Sequence, residues 1–126
     1  MAQTIADVLT PNPVTIESDR TVREAAELMR SSDIGDVVVV DGGRPVGIVT
    51  DRDLVVRVLA TGGDPDDAVR TACSTDLVTA APGDSLEDAS RLMRQHDLRR
   101  LPVVDGGGAL VGIVSLGDLA IERDPH

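Results

Sequence analysis

The stretch Val37-Val38-Val39-Val40-Asp41-Gly42-Gly43-Arg44-Pro45-Val46-Gly47-Ile48-Val49-Thr50-Asp51-Arg52-Asp53 decides the architecture. It is written a second time as Leu101-Pro102-Val103-Val104-Asp105-Gly106-Gly107-Gly108-Ala109-Leu110-Val111-Gly112-Ile113-Val114-Ser115-Leu116-Gly117-Asp118. Moving outward, a shift of 64 places Val14-Thr15 on Val78-Thr79, Ala25 on Ala89, Leu28-Met29-Arg30 on Leu92-Met93-Arg94 and Asp33 on Asp97. One extra glycine in the second turn raises the shift to 65, after which Val46-Gly47-Ile48-Val49 matches Val111-Gly112-Ile113-Val114 and Asp53-Leu54 matches Asp118-Leu119. Self-similarity over this length fixes the organisation before any local reading. It divides the chain into repeat 1, residues 1–62, and repeat 2, residues 63–126.

Each copy reads as a helix flanked by short strands. Val14 to Ile16 is a brief extended piece. Thr21 then caps a helix whose Val22, Ala25, Ala26 and Met29 recur at helical spacing, with Glu24 completing a capping box; Ser85 and Asp88 open its counterpart. The four-valine run from Val37 is too dense for a half-exposed strand and predicts a buried one, turning at Asp-Gly-Gly into a second strand, Val46 to Thr50. A second helix is expected over about Asp51 to Ala60. After the Gly62-Gly63 break, a short helix capped by Asp64, with Pro65 in its first turn, is expected. A unit of about sixty residues buries too little apolar surface to offset an ordering cost of about 1.5 kcal/mol per residue. The expected fold class is therefore α+β, built of α/β-type repeats: two pseudo-symmetric copies packed face to face, with two equivalent clefts at their junction.

Composition narrows the chemistry. The 126 residues carry a net charge of −10 and contain no Phe, Trp or Tyr, and all twelve basic residues are arginine. Without lysine there is no Walker-type phosphate loop, no pyridoxal Schiff base and no lysine nucleophile. Without aromatic rings, single-stranded nucleic acid has no stacking platform, and the acidic balance repels its phosphates. The single cysteine, Cys73, forms no intramolecular disulfide, and with His96 and His126 it makes no zinc cage. Apolar runs are too short for a bilayer and the N-terminus does not read as a signal peptide, so a cytoplasmic location is expected.

The two signatures Gly47-Ile48-Val49-Thr50-Asp51-Arg52-Asp53 and Gly112-Ile113-Val114-Ser115-Leu116-Gly117-Asp118 fit the pattern Gly-hydrophobic-x-Thr/Ser-x-x-Asp. In this the chain resembles the cystathionine-β-synthase-type regulatory repeat, the CBS domain, present as a tandem pair or Bateman module over Ile5 to about Ile121. The chemistry of the signature supports the resemblance. A strand ending in Thr or Ser, with Asp three residues on in the first turn of a helix, presents a hydroxyl and a carboxylate together. A carboxylate accepts from two vicinal hydroxyls, as a ribose offers, and the hydroxyl and helix start add donors for a phosphate. The alternative is that Thr50, Asp53, Ser115 and Asp118 only cap their helices.

The resemblance implies an adenosine-type ligand of the AMP, ADP or ATP class, with no cofactor required. With no ring to stack on, the adenine needs an aliphatic slot, which the resemblance assigns to the partner repeat's short strand and hairpin entry. The Asp53 cleft, with Thr50, is then lined by Val78, Thr79, Ala80 and Leu98, and the Asp118 cleft, with Ser115, by Val14, Thr15, Ile16 and Ile34. Arg99-Arg100 before Leu101-Pro102 resembles a phosphate-holding basic pair and is assigned to the Asp53 cleft, with Arg52 as a further phosphate contact. The first repeat has Gly35-Asp36 in the same places, so the Asp53 cleft is expected to take the phosphorylated ligand.

Features with a catalytic look are read as structural. Arg52 within Asp51-Arg52-Asp53 disfavours a metal ion. Gly112-x-x-Ser115-x-Gly117 is one residue too long for a nucleophile elbow, and its only candidate base, His96, falls near the end of a helix. Cys73, Met29 and Met93 read as core. No catalytic residue, no metal site and no enzyme activity are expected. The function expected is a regulatory small-molecule-binding module that signals to an unknown effector protein and forms a homodimer, without nucleic acid or membrane. The alternative is a structural or oligomerisation module with no bound nucleotide.

Overall fold

In a computed structural model, which describes residues 4–73 and 77–123, the chain forms two compact units. One comprises residues 14–77, the other residues 1–13 together with 78–126. This cut differs from the division of the sequence at residues 62 and 63, and the exchange is reciprocal. The 3-10 turn Ile5–Asp7 belongs with the second repeat, and the 3-10 turn Val69–Thr71 with the first. The two turns are related by the same shift of 64, so each repeat has given its leading segment to the other.

Hydrogen bonds repeat the exchange. In residues 14–77 the Val69 and Arg70 N–H groups donate to the carbonyls of Arg20 and Ser18; in the other unit Ile5 and Ala6 donate to Asp84 and Pro82. Val69 and Ile5 are each fully buried. An amide N–H taken out of water is costly unless paired, so these bonds permit the burial.

Residues 14–77 hold strand β2 (Thr15–Glu17), helix α1 (Val22–Ser32), strands β3 (Asp36–Asp41) and β4 (Arg44–Thr50), and helix α2 (Asp51–Asp53), which continues as a π-helix over Leu54–Leu59. Their sheet has the order β2-β3-β4, parallel then antiparallel. The other unit holds strand β1 (Thr10–Pro11), helix α3 (Leu86–His96), strands β5 (Arg100–Val104) and β6 (Leu110–Ser115), and helix α4 (Leu116–Arg123), with sheet order β1-β6-β5. The extended piece expected at Val78 to Ala80 is reduced to a parallel bridge between Ala80 and Val103.

Local chemistry explains these elements. Thr21 caps α1 by accepting from Glu24 N–H at 3.1 Å, and Ser85 caps α3 by accepting from Asp88 N–H at 3.1 Å. Both helices end at an aspartate in the left-handed region, Asp33 and Asp97 at φ 53°. Val22, Ala25 and Met29 of α1 are buried, whereas Ala26, expected on the same face, is exposed. Val37 through Val40 are all buried, as a strand covered on both faces requires. The Asp41-Gly42-Gly43-Arg44 turn has positive φ at both glycines, the twist a two-residue hairpin needs. It is clasped by Ser18 Oγ, which donates to Asp41, and by Glu17, which accepts from Gly42 N–H.

The helix expected from Asp64 and Pro65 does not form. Residues 64–67 make a turn, in which Asp66 N–H donates to Asp64 Oδ1, and the Pro65 and Asp67 carbonyls accept from Arg23 and Val22 N–H. The unpaired donors at the start of α1 compete successfully for carbonyls that a helix would have used.

Gly112 of β6 lies so close to β1 of the same unit that a Cβ there would sit 2.8 Å from the Thr10 carbonyl oxygen and 2.7 Å from Leu9 Cδ1. Backbone cannot swing aside as a side-chain tip can, so Gly112→Ala is expected to destabilise the protein by about 1–3 kcal/mol. Urea unfolding of the two proteins measures this, and an unchanged midpoint would exclude the close approach.

Candidate functional site

The signature residues end β4 and β6 and begin the helices that follow. Thr50 Oγ1 accepts from Asp53 N–H at 3.0 Å, and Asp53 Oδ2 accepts from Thr50 N–H at 2.9 Å. Ser115 and Asp118 repeat the pair at 3.1 and 2.9 Å. The capping role weighed from the sequence is therefore real in both repeats. It leaves ligand chemistry open, because each hydroxyl is used only as acceptor and keeps its hydrogen to donate. Each carboxylate commits Oδ2 to the cap and has Oδ1 with further acceptor capacity. All four residues are partly exposed.

The surroundings of the two pairs differ in charge. Across the hairpin from Thr50 stands Asp36, and Asp51 donates its N–H to the Gly35 carbonyl at 3.0 Å. The Asp51 carboxylate lies over Gly35, 3.3 Å from where a Cβ would be. In the other unit Arg100 stands across from Ser115, and Leu116 N–H donates to the Arg99 carbonyl at 2.7 Å. The strand register thus sets the Arg99-Arg100 backbone beside Ser115 and Leu116. The family resemblance assigns the same two arginines to the cleft of Asp53, which belongs to the other unit. Arg52 is exposed, and its N–H donates to Asp51 Oδ1 at 2.8 Å.

Of the residues expected to line an aliphatic slot, Ile16 and Ala80 are buried in the cores of their own units. Val14 and Ile34 pack partly buried on one core, Val78 and Leu98 on the other. Thr15 is exposed and Thr79 half-exposed. A groove of about 570 Å³ opens between β2 and α1, bordered by Thr15, Glu17, Arg20, Glu24, Glu27 and Arg30, a lining more charged than adenine prefers.

Arg57 was missed by the sequence reading. Its Nε lies 3.5 Å from Asp53 Oδ1 and its Nη1 donates to the Cys73 carbonyl at 3.4 Å. The signal was present, since opposite charges four residues apart on a helix face each other. Among the described residues no cluster of His, Cys, Asp and Glu could hold a metal ion, and His126 lies outside them. Ser115 Oγ is taken by the Asp118 N–H, and His96 is exposed in the last turn of α3. No helix among the described residues is long and apolar enough to cross a membrane.

Cys73 is buried, as expected of a core residue, and burial pushes its thiol above the ordinary value, with Asp53 raising it further and Arg57 opposing. The thiolate that alkylating reagents need is therefore scarce at neutral pH. Iodoacetamide at pH 8 is expected to modify native Cys73 at least about tenfold more slowly than the same protein in urea; equal rates would show an accessible thiol of ordinary acidity. Removing either cap hydroxyl, by Thr50→Ala or Ser115→Ala, is expected to cost about 1 kcal/mol in denaturant unfolding. No loss from either would mean that the motif hydroxyls do not hold their helices.

Known proteins share the fold of this chain. The sequence profile of the CBS domain matches residues 5–60 and 69–123. The CBS domain-containing protein YhcV of Bacillus subtilis is 45% identical over 119 residues, covering 94% of this chain and 84% of that protein. Two other curated relatives are longer, and the chain spans 59% and 24% of their lengths. Among solved structures, CBSX2 in complex with AMP superposes with a TM-score of 0.83 at 29% identity, covering 96% of each chain. The CBS domain pair of protein MJ0100, in complex with 5′-methylthioadenosine and S-adenosyl-L-methionine, also gives 0.83, at 26% identity and 94% coverage of each chain. With two copies of the signature, each reciprocally capped at the same strand-to-helix junction, and a profile match to both repeats, the chain belongs to the CBS domain family as a tandem pair.

Proposed function

We propose that this chain is a regulatory module that binds adenosine-type ligands through Thr50 with Asp53 and through Ser115 with Asp118, and that occupancy is passed to an effector protein. One observation carries the reading: in both signature pairs the helix cap takes only Oδ2 of the carboxylate, which leaves Oδ1 as a fixed acceptor for a ribose diol beside a hydroxyl able to donate. The AMP complex of CBSX2 and the methylthioadenosine and S-adenosylmethionine complexes of MJ0100 share the adenosine portion, which supports that ligand class. The role is binding, with no chemical step.

The two half-sites are proposed to differ in the charge they accept. Arg99 and Arg100, in the register of Ser115, favour a phosphate at the Asp118 half-site, since guanidinium groups bind phosphate oxygens in pairs. Asp36 and Asp51 beside Thr50 disfavour one at the Asp53 half-site. This proposal differs from the expectation that the family resemblance implies, which gives the phosphorylated ligand to the Asp53 cleft; it is supported by the register of Arg100 with Ser115. Val55, Val56 and Leu59, 54%, 49% and 67% exposed on one helix, are proposed to face a second copy in a homodimer. A location in the cytoplasm is part of the same proposal. Ligand occupancy can reach an effector only by favouring one of two states of the module.

Calorimetric titration of AMP, ATP and adenosine into wild type, Asp118→Ala, Asp53→Ala and Arg99→Ala/Arg100→Ala tests this. AMP affinity is expected to fall at least about tenfold in Asp118→Ala and in the double arginine variant, and less in Asp53→Ala. Sedimentation of the same samples reads whether occupancy changes the oligomeric state. Absence of any binding at millimolar ligand, with no thermal shift, would favour the alternative of a structural module.

A further inference from the structure

The two repeats differ at one position that acts directly on a signature acid. Arg57 stands four residues after Asp53, and under the shift of 65 its counterpart four residues after Asp118 is Glu122. In the first repeat the helix widens to a π-helix over Leu54–Leu59, with Ala60 N–H donating to the Val55 carbonyl five residues back at 2.9 Å. The second repeat runs as an α-helix over Leu116–Arg123. Short π-helical stretches often mark functional positions. Here the wider turn keeps Leu54 and Val58 in the core and leaves Arg57 beside Asp53.

We infer that Arg57 is a positioning residue of the Asp53 half-site, holding the carboxylate by Oδ1 while the helix cap holds Oδ2. The inference rests on the nucleotide-binding reading and deepens it. Asp53 is gripped at both oxygens, at 2.9 Å by Thr50 N–H and at 3.5 Å by Arg57 Nε. A carboxylate has about four lone-pair positions, so two remain for the ribose hydroxyls after both grips are made. The Asp53 side chain is 19% exposed, and little of its freedom remains for a ligand to remove. The second tie, from Arg57 Nη1 to the Cys73 carbonyl, keeps the guanidinium from following its long side chain into solvent. Cys73 itself registers both charges, since its thiol is raised by Asp53 and lowered by Arg57. Arg57 thus keeps the Asp53 acceptor carboxylate in place, with its guanidinium turned to Asp53 and the Cys73 carbonyl.

The test uses adenosine, which carries no phosphate, titrated into the full chain. In an Asp118→Ala background, which isolates the Asp53 half-site, Arg57→Gln is expected to weaken adenosine binding about tenfold. Arg57→Lys is expected to recover part of that loss, because an ammonium reaches the carboxylate but not the Cys73 carbonyl at the same time. The loss must vanish when Asp53 is already Ala, since a residue acting through Asp53 has nothing left to position. An equal loss from Arg57→Gln with and without the Asp53 carboxylate would overturn the inference and mark Arg57 as a general stabiliser. So would an unchanged affinity in Arg57→Gln while wild type binds. If wild type and both single-aspartate variants bind no adenosine or AMP, the nucleotide reading itself fails, an outcome separate from failure of Arg57 alone.

Discussion

The burial of Ile5 and Val69 is the constraint on which the rest of the molecule depends. Each is fully enclosed in the core of the repeat to which it does not belong by sequence. A repeat of about sixty residues is near the lower limit at which apolar burial offsets chain entropy, and a missing apolar anchor at its open end is costly. The 3-10 turns at Ile5–Asp7 and Val69–Thr71 supply that anchor reciprocally, with matching backbone hydrogen bonds. The consequence is that neither sequence repeat completes its own core.

On that frame the strand-to-helix junctions are held by chemistry that serves two ends. A threonine or serine and an aspartate three residues on satisfy the first donors of the helix, and the same arrangement leaves hydroxyl and carboxylate groups directed outward from a rigid edge. Function is readily built where capping has already immobilised the side chains, because a ligand then has less freedom to remove. Divergence between the repeats acts on the periphery of this unit. The capped pair is common to both, whereas Gly35, Asp36, Asp51 and Arg57 have been replaced by Arg99, Arg100, Leu116 and Glu122. A duplicated site can in this way keep one recognition element, the ribose acceptor, and change the charge that the rest of a ligand meets.

Much of this was legible in the chain. The repeat, the buried valine strand, the glycine turn and the helix caps are local signals, set by periodicity, φ preference and side-chain reach over three or four residues. The signature pairs were legible for the same reason. Local pattern failed where a choice between competing partners decided the outcome. The carbonyls of Pro65 and Asp67 bind the first N–H groups of α1 instead of continuing a helix. Ala26 follows the helical pattern of its neighbours yet faces solvent. Arg57 carried a visible charge spacing, but its second tie to the Cys73 carbonyl links residues far apart in sequence, and no local pattern registers it.

The sequence by itself therefore determined that there are two copies of one α+β unit, and which side chains stand at each strand-to-helix junction, because both follow from short-range repetition and turn chemistry. Only the tertiary structure decided which segments complete which core, and which residues stand across the hairpin from each signature hydroxyl. Strand register sets Arg100 against Ser115 and Asp36 against Thr50. Register is the outcome of a hairpin closing around its turn and burying one face, so its neighbours across the sheet become defined only when the chain has folded.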